Sequence, residues 1–133
     1  MALSGGNQSM LRGVFRHAWA FSEKAGLKVS GQYFRGNDFE YTDPVEAVAR
    51  AANTGPLPIG ERDFFSSHYG GEARLDLRPW DDPNDNIIIT GGLKTLGSSI
   101  EPTGIGAGQA KNWTYKSLQA RVNKSGLFVQ AFL

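Results

Sequence analysis

The sequence predicts an all-β fold, an antiparallel up-and-down meander of six or seven strands, and three observations support this class. Glycine supplies 17 of the 133 residues, and aromatic residues make up 11% of the chain, as in proteins built from many short strands and turns. Apolar and polar residues alternate repeatedly, whereas helical periodicity is hard to find. Clusters of Gly, Pro, Asn and Asp interrupt the alternation where turns are needed.

The strands follow one another along the chain. Residues 11–21 and 27–33 alternate with period two and predict a hairpin closed at residues 22–26. The clearest case is 70–79, where apolar residues alternate with four charged ones. Three further strands are predicted at residues 86–96, 113–122 and 127–133, separated by turns at 81–85 and 123–126 and by a longer segment at 98–111.

The lengths of the connections form a second pattern, in which short and long segments alternate. Residues 38–66 and 98–111 are the long connections, and the glycine-rich stretch 103–111 within the second fits no phosphate-binding motif and predicts a mobile loop. This asymmetry is typical of outer-membrane barrels, which have short turns at one end and long loops at the other. In 38–66, Asp43 followed by Pro44 predicts the N-terminus of the one expected helix, ending near Ala52.

Composition excludes several function classes. The chain is long enough for one domain, here residues 1–133. A formal charge of +1 is too balanced for non-specific nucleic-acid binding, so we expect no nucleic-acid partner. The absence of cysteine excludes disulfides, thiolate zinc sites and cysteine nucleophiles. No apolar run approaches the length of a membrane-spanning helix, and residues 1–6 lack the features of a secretory signal.

Candidate catalytic and metal-binding residues are few. His17 and His68 have no partner at metal-ligand spacing, so neither a metal site nor a cofactor is expected. The alternating charges of 72–78 predict ion pairs along a solvated face better than an acid–base pair. Aromatic residues gather near both ends of the strands, a distribution that favours a membrane interface modestly and also fits a soluble core. These aromatic residues are Trp19, Phe21 and Trp80 at one end and Tyr33, Phe34, Phe39, Tyr41, Phe64, Phe65 and Tyr69 at the other.

Six segments carry a resemblance to a known family. They read RGVFRHA at 12–18, KVSGQYFRGNDF at 28–39, GEARLDLRP at 71–79, TGIGAGQAKNW at 103–113, LQAR at 118–121 and FVQAFL at 128–133. In this order and spacing the sequence resembles the barrel of TonB-dependent receptors over nearly its whole length. The resemblance aligns the chain with the early part of a barrel of about 22 strands whose lumen holds a plug domain.

The resemblance implies a function without catalysis. The chain would be an unclosed portion of a large outer-membrane β-barrel, in a receptor for active uptake of a bulky nutrient such as a ferric siderophore, cobalamin or an oligosaccharide. Its partners would be outer-membrane lipid, the plug domain and remaining strands, and the TonB complex, reached through the missing N-terminal part. Residues 1–4 would end a preceding strand, and 5–7 would form the turn after it. The last strand stops at Leu133 without a turn, which also predicts a fragment.

Two groups of candidate site residues follow. Because lipid-facing and lumen-facing residues alternate in such a barrel, the charged strand positions are expected to face the lumen. These are Arg12, Arg16, Lys28, Glu72, Arg74, Asp76, Arg78 and Arg121. The polar residues of the 38–66 loop are expected to contribute to a ligand surface. These are Asp38, Glu40, Tyr41, Asp43, Arg62 and Asp63.

Two other functions stay open at this stage. A small soluble β-barrel could bind an apolar ligand if the apolar face points inward, but it would need about eight strands and a closed sheet. A hydrolase using His17 or His68 would need a nucleophile and a base beside the imidazole, and the sequence places none near either histidine.

Overall fold

The chain folds into one seven-stranded antiparallel sheet with a short helix, as the computed structural model shows for residues 1–53, 61–103 and 106–133. The strands are β1 (Ala2–Gly5), β2 (Leu11–Ser22), β3 (Ala25–Asn37), β4 (Phe65–Leu77), β5 (Asn86–Thr103), β6 (Gly106–Lys124) and β7 (Leu127–Phe132), and α1 spans Pro44–Ala52. Each strand pairs with its neighbours in sequence, in the order β1 to β7. Within the described residues β1 and β7 do not pair with each other, so the sheet is unclosed. The predicted all-β meander is confirmed.

The register sorts side chains onto two faces, because directly paired residues of neighbouring strands point to the same side. One face, called here the apolar face, carries Leu3, Phe15, Trp19, Leu27, Val29, Tyr33, Tyr69, Ala73, Leu75, Leu77, Ile87, Ile89, Leu93, Leu118, Ala120, Val122, Val129 and Ala131. The opposite face, called the polar face, carries Arg12, Arg16, Lys28, Ser30, Gln32, His68, Glu72, Arg74, Asp76, Thr90, Lys94, Ser117, Gln119, Arg121 and Gln130, with some apolar residues between them.

Nothing in the described chain covers the apolar face. Ile88 is the one buried hydrophobic residue among the described positions, and it lies on the polar face. On the apolar face Phe15 is 49% exposed, Leu93 46% and Trp19 44%. A soluble monomer rarely leaves so continuous an apolar surface in water. The sheet is therefore a single layer that needs another phase or another molecule against this face.

The predicted helix is confirmed, and its start is explained by local chemistry. The Asp43 carboxylate accepts hydrogen bonds from the backbone N–H groups of Val45, at 2.9 Å, and Glu46, at 3.3 Å. These N–H groups have no partner inside the helix, so an acidic N-cap satisfies them. Pro44 occupies the first helical turn, where its missing N–H costs nothing.

The prediction of a long loop at residues 98–111 is wrong. β5 continues to Thr103 and β6 begins at Gly106, with pairing from Ser98–Lys111 to Thr103–Gly106. The mobile loop expected at 103–111 is therefore mostly strand, and only Gly104 and Ile105 of it lie outside the described residues. Pairing with β4 ends at Ser98, so the two strands project past the sheet as a hairpin extension. The strict alternation of short and long connections fails at this position.

The three short turns contact one another at the other end of the sheet. Lys24, between β2 and β3, forms a 2.9 Å ion pair with Asp81, between β4 and β5. The Lys124 ammonium lies 4.7 Å from the centre of the Trp80 ring. The buried Asp85 carboxylate accepts a 2.7 Å hydrogen bond from the Ser125 backbone N–H. These contacts fix the spacing of the strand pairs at this end.

Candidate functional site

The polar face brings together most of the charged residues predicted to face a lumen. Cross-strand pairs place Arg16 beside Ser30, Ser30 beside Glu72, and Lys28 beside Arg74. Seven of the eight predicted residues lie within strands on this face: Arg12, Arg16, Lys28, Glu72, Arg74, Asp76 and Arg121. The eighth, Arg78, follows the last residue of β4 and donates its backbone N–H to the Lys24 carbonyl at 2.8 Å.

Charge on the polar face is only partly neutralised. Arg74 and Asp76 form an ion pair along β4, with one guanidinium nitrogen 2.6 Å from a carboxylate oxygen. It is the one ion pair on this face among the described residues. The expectation that neighbouring opposite charges pair along the strand therefore fits Arg74 and Asp76. Glu72, two positions from Arg74, forms no salt bridge with any residue that the structure describes.

A cavity of about 570 Å³ opens on this face and crosses five strands, from β2 to β6. Its charged lining residues are Arg12, Arg16, Glu72 and Lys94. Ser30, Gln32, Gly92 and Ser117 also line it, so small and polar side chains surround the charges. Lys94 was not among the predicted site residues, although its period-two position in the 86–96 strand is a signal that could have identified it.

The ligand-loop residues divide into two contact groups, and the first surrounds Arg62. The Arg62 guanidinium donates its Nε–H to Glu46 at 2.7 Å and lies 5.6 Å from the centre of the Tyr41 ring. The hydrogen bond to the Glu46 carboxylate is the main cause that raises the pKa of Arg62. A cavity of about 180 Å³ beside this cluster is lined by Tyr41, Asp43, Glu46, Arg50 and Arg62, among others. Sequence reasoning missed Glu46, which bridges the helix and the loop.

The second group fixes the loop to the β5–β6 hairpin extension. Asp63 forms a 2.8 Å ion pair with Lys111 and donates its backbone N–H to the Gln109 side-chain oxygen at 3.0 Å. Gln109 also donates to the Ser98 hydroxyl at 3.0 Å. The Lys111 ammonium is the main cause that lowers the pKa of Asp63. We call these four residues, Asp63, Ser98, Gln109 and Lys111, the loop clamp.

The remaining residues of the predicted ligand loop do not join either contact group. Asp38 accepts a 2.8 Å hydrogen bond from the Phe39 backbone N–H, and its own backbone N–H donates to the Phe64 carbonyl at 2.8 Å. Asp43 caps α1. Glu40 is exposed. Residues 54–60 of the predicted ligand loop lie outside the described residues.

The histidines lie on opposite faces. His17 is on the apolar face with its ring 4.2 Å from that of Trp19 in an edge contact, and His68 stacks on Phe34 at 5.1 Å on the polar face. The described part of the chain contains no group of three or more His, Cys, Asp or Glu residues that could hold a metal ion. No described helix is long and apolar enough to cross a membrane.

The aromatic residues of the two predicted belts are not all on one side of the sheet. Trp19, Tyr33, Phe65 and Tyr69 lie on the apolar face, whereas Phe34 lies on the polar face. Tyr41 and Phe64 contact each other in the loop, with ring centres 5.5 Å apart. Trp80 is in the turn after β4, against Lys124.

Comparison with known proteins adds no relative. No protein-family model, no curated protein and no solved structure matches the chain.

Proposed function

We propose that this chain is part of the wall of a TonB-dependent outer-membrane receptor, which takes up a bulky nutrient such as a ferric siderophore, cobalamin or an oligosaccharide. The observation that carries the proposal is the two-sided sheet, whose apolar face crosses all seven strands uncovered while most of the strand charges lie on the opposite face. Lipid would cover the apolar face, and the polar face would line a lumen.

The unclosed sheet also supports a role within a larger barrel. Backbone N–H and C=O groups at a free strand edge have no partner in lipid, and each such group costs several kcal/mol. Further strands beside β1 and β7 would satisfy them. A closed soluble barrel made from this sheet alone would need β1 to pair with β7, and the described residues show no such pairing.

A spin-label experiment tests the lipid-facing assignment. Residues 1–133 contain no cysteine, so a single cysteine introduced among them can be labelled with a nitroxide once any cysteine elsewhere in the complete gene product is replaced by serine. Ile89 pairs with Ala120 on the apolar face, and the adjacent pair Thr90 and Gln119 lies on the polar face. Each position is substituted by cysteine in the complete gene product, which is reconstituted in phospholipid vesicles.

Collision with oxygen, which concentrates in lipid, should dominate for Ile89→Cys and Ala120→Cys. Collision with a water-soluble nickel chelate should dominate for Thr90→Cys and Gln119→Cys. If neither reagent reaches positions 89 and 120, the apolar face is packed against protein, as in a soluble ligand-binding barrel. Equal accessibility at all four positions would also contradict the proposal.

The receptor class requires a separate test in cells. We expect the DNA flanking this reading frame to encode a plug domain and additional strands in frame. Deletion of the complete gene should abolish growth on one scarce nutrient, drawn from a panel of ferric siderophores, cobalamin and oligosaccharides. Deletion of the TonB complex should cause the same loss. Unchanged growth on the whole panel after gene deletion would refute the uptake function while leaving the barrel assignment intact.

A further inference from the structure

The polar face carries an excess of positive charge that the chain itself does not neutralise. Its strand residues include Arg12, Arg16, Lys28, Arg74, Lys94 and Arg121, against two carboxylates, Glu72 and Asp76. Asp76 is paired with Arg74. Among the described residues the other five cations form no salt bridge. An occupant of this face therefore gains most by bringing carboxylates.

These unpaired cations are spread across the sheet. Arg12 and Arg16 are on β2, Lys28 on β3, Lys94 on β5 and Arg121 on β6. With about 4.8 Å between neighbouring strands, the span from β2 to β6 is roughly 19 Å. A small anion would contact one or two of these cations at a time. An extended peptide advances about 3.3 Å per residue, so six residues cover the whole span.

The floor of the 570 Å³ cavity admits such a segment. Gly92 and Ser117 form a directly paired couple on the polar face, with Ser30 and Glu72 in the same row across the sheet. Gly92 has no side chain, so the backbone itself forms the cavity floor at this point. A Cβ atom added there would lie 3.2 Å from the Gly71 carbonyl oxygen. Arg16 belongs to the same row, next to Ser30, and Lys94 lies in the adjacent row of the polar face.

We propose that the polar face binds an acidic polypeptide segment, which lies across the strands in this cavity and pairs its carboxylates with Arg12, Arg16 and Lys94. The inference deepens the proposed function, on which it rests, by naming the chemistry of the partner that fills the lumen side of this wall. Glu72 is the single carboxylate among the cavity residues, and it repels acidic positions of the segment from β4, so the segment's carboxylates pair with the cations on β2 and β5.

Binding of a synthetic peptide tests the proposal. The full chain is purified in detergent micelles, which cover the apolar face, and its β structure is checked by circular dichroism. A fluorescent hexaglutamate peptide is titrated into it, and anisotropy gives the dissociation constant. We expect saturable binding that weakens with added salt. Absence of saturable binding by a chain with native β content, or by the complete gene product if the chain alone lacks that content, would overturn the proposal.

Matched variants distinguish this face from charge in general. Lys94→Gln removes a cation from the polar face, and Lys116→Gln removes one from the apolar face, where Lys116 pairs with Leu93. We expect Lys94→Gln to weaken binding about three-fold and the double variant with Arg16→Gln about ten-fold, as when partly exposed ion pairs are lost. Lys116→Gln should leave binding unchanged. Equal weakening by Lys94→Gln and Lys116→Gln would contradict a site on the polar face.

Competition separates a polypeptide from a small anion. Citrate, at the same concentration of carboxylate groups, should displace the peptide poorly because it cannot bridge the cations on β2 and β5. If citrate competes as well as unlabelled hexaglutamate, the face binds small anions and the polypeptide assignment is wrong. Failure of peptide binding with the expected spin-label pattern would overturn this inference alone, whereas failure of the spin-label pattern would overturn the proposed function.

Discussion

At the scale of single residues, Gly31 shows how an aromatic residue and a glycine share space across two strands. Gly31 pairs with Phe15, and a Cβ atom at Gly31 would overlap the Phe15 ring. The ring therefore lies over the glycine and covers the backbone there. Cross-strand aromatic contacts of this kind stabilise glycine positions in sheets. The alternation of the sequence predicts that both residues lie on one face. It does not predict that the Phe15 ring turns over Gly31, because the alternation gives the side of a residue and not its rotamer.

We expect Gly31→Ala to lower the free energy of unfolding by about 1 kcal/mol, the low end of the cost of overpacking, because the half-exposed Phe15 ring can turn away from the new methyl group. Urea unfolding in detergent, followed by circular dichroism, measures it. Gly13→Ala is the matched control, because the nearest atom to its Cβ is a Leu3 methyl carbon at 3.8 Å, an ordinary contact. In a Phe15→Ala background the Gly31→Ala effect should shrink. An unchanged effect there would show that the Phe15 ring is not its cause.

A second residue-scale prediction concerns the ionisation of Asp63. The Lys111 ammonium holds the pKa of this carboxyl below its ordinary value, so the ion pair contributes stability at pH values above about 4. The contribution is lost as the pH falls through the lowered pKa. Carbon-13 NMR titration should show the Asp63 pKa rising towards its ordinary value in Lys111→Gln.

Asp81 provides the control for that titration. Lys24 lowers the pKa of Asp81 at the opposite end of the sheet. Lys111→Gln should therefore leave the Asp81 titration unchanged, and Lys24→Gln should shift Asp81 and not Asp63. A Lys111→Gln variant with the native Asp63 pKa would mean that the loop clamp does not contain this ion pair in solution.

At the scale of elements, α1 could be predicted from sequence because its start signal is local. Asp43, Pro44 and the residues that Asp43 caps are adjacent in the chain. The hairpin extension of β5 and β6 could not be predicted in the same way. Its glycine-rich sequence has low strand propensity, and its fixed contacts come from distant residues. Asp63 meets Lys111 and Gln109 across more than 40 positions of sequence.

Removal of the helix cap tests the local argument. We expect Asp43→Ala to destabilise α1 by about 1 kcal/mol, because two backbone N–H groups lose their acceptor. Hydrogen exchange at the Val45 and Glu46 amides should accelerate accordingly. Asp38→Ala removes a carboxylate of the same loop that, among the described residues, accepts from the Phe39 backbone N–H and not from the helix, so exchange at Val45 and Glu46 should stay native. Equal acceleration in both variants would indicate general loosening of the loop instead of loss of a cap.

At the scale of the whole molecule, the two faces were predicted from sequence and the concave site was not. Period-two alternation assigns a side to each strand residue, and the observed register agrees across β2 to β6. The cavity depends on how five strands bring Arg16, Glu72 and Lys94 together, and these residues are far apart in sequence. The partners of each strand are a property of the assembled sheet, so the pattern of a single strand does not contain them.

The final prediction compares one charge on each face of the same strand. Ile89 and Thr90 are adjacent in β5, on the apolar and polar faces respectively. If lipid covers the apolar face, Ile89→Lys should lower the free energy of unfolding in vesicles by about 1–2 kcal/mol, which is less than the cost at the bilayer midplane because Ile89 shares a cross-strand row with Trp19 near the short-turn end. Thr90→Lys should have little effect, because its ammonium stays in water. Equal effects of the two variants would mean that both faces meet the same environment. The apolar face would then not be covered by lipid.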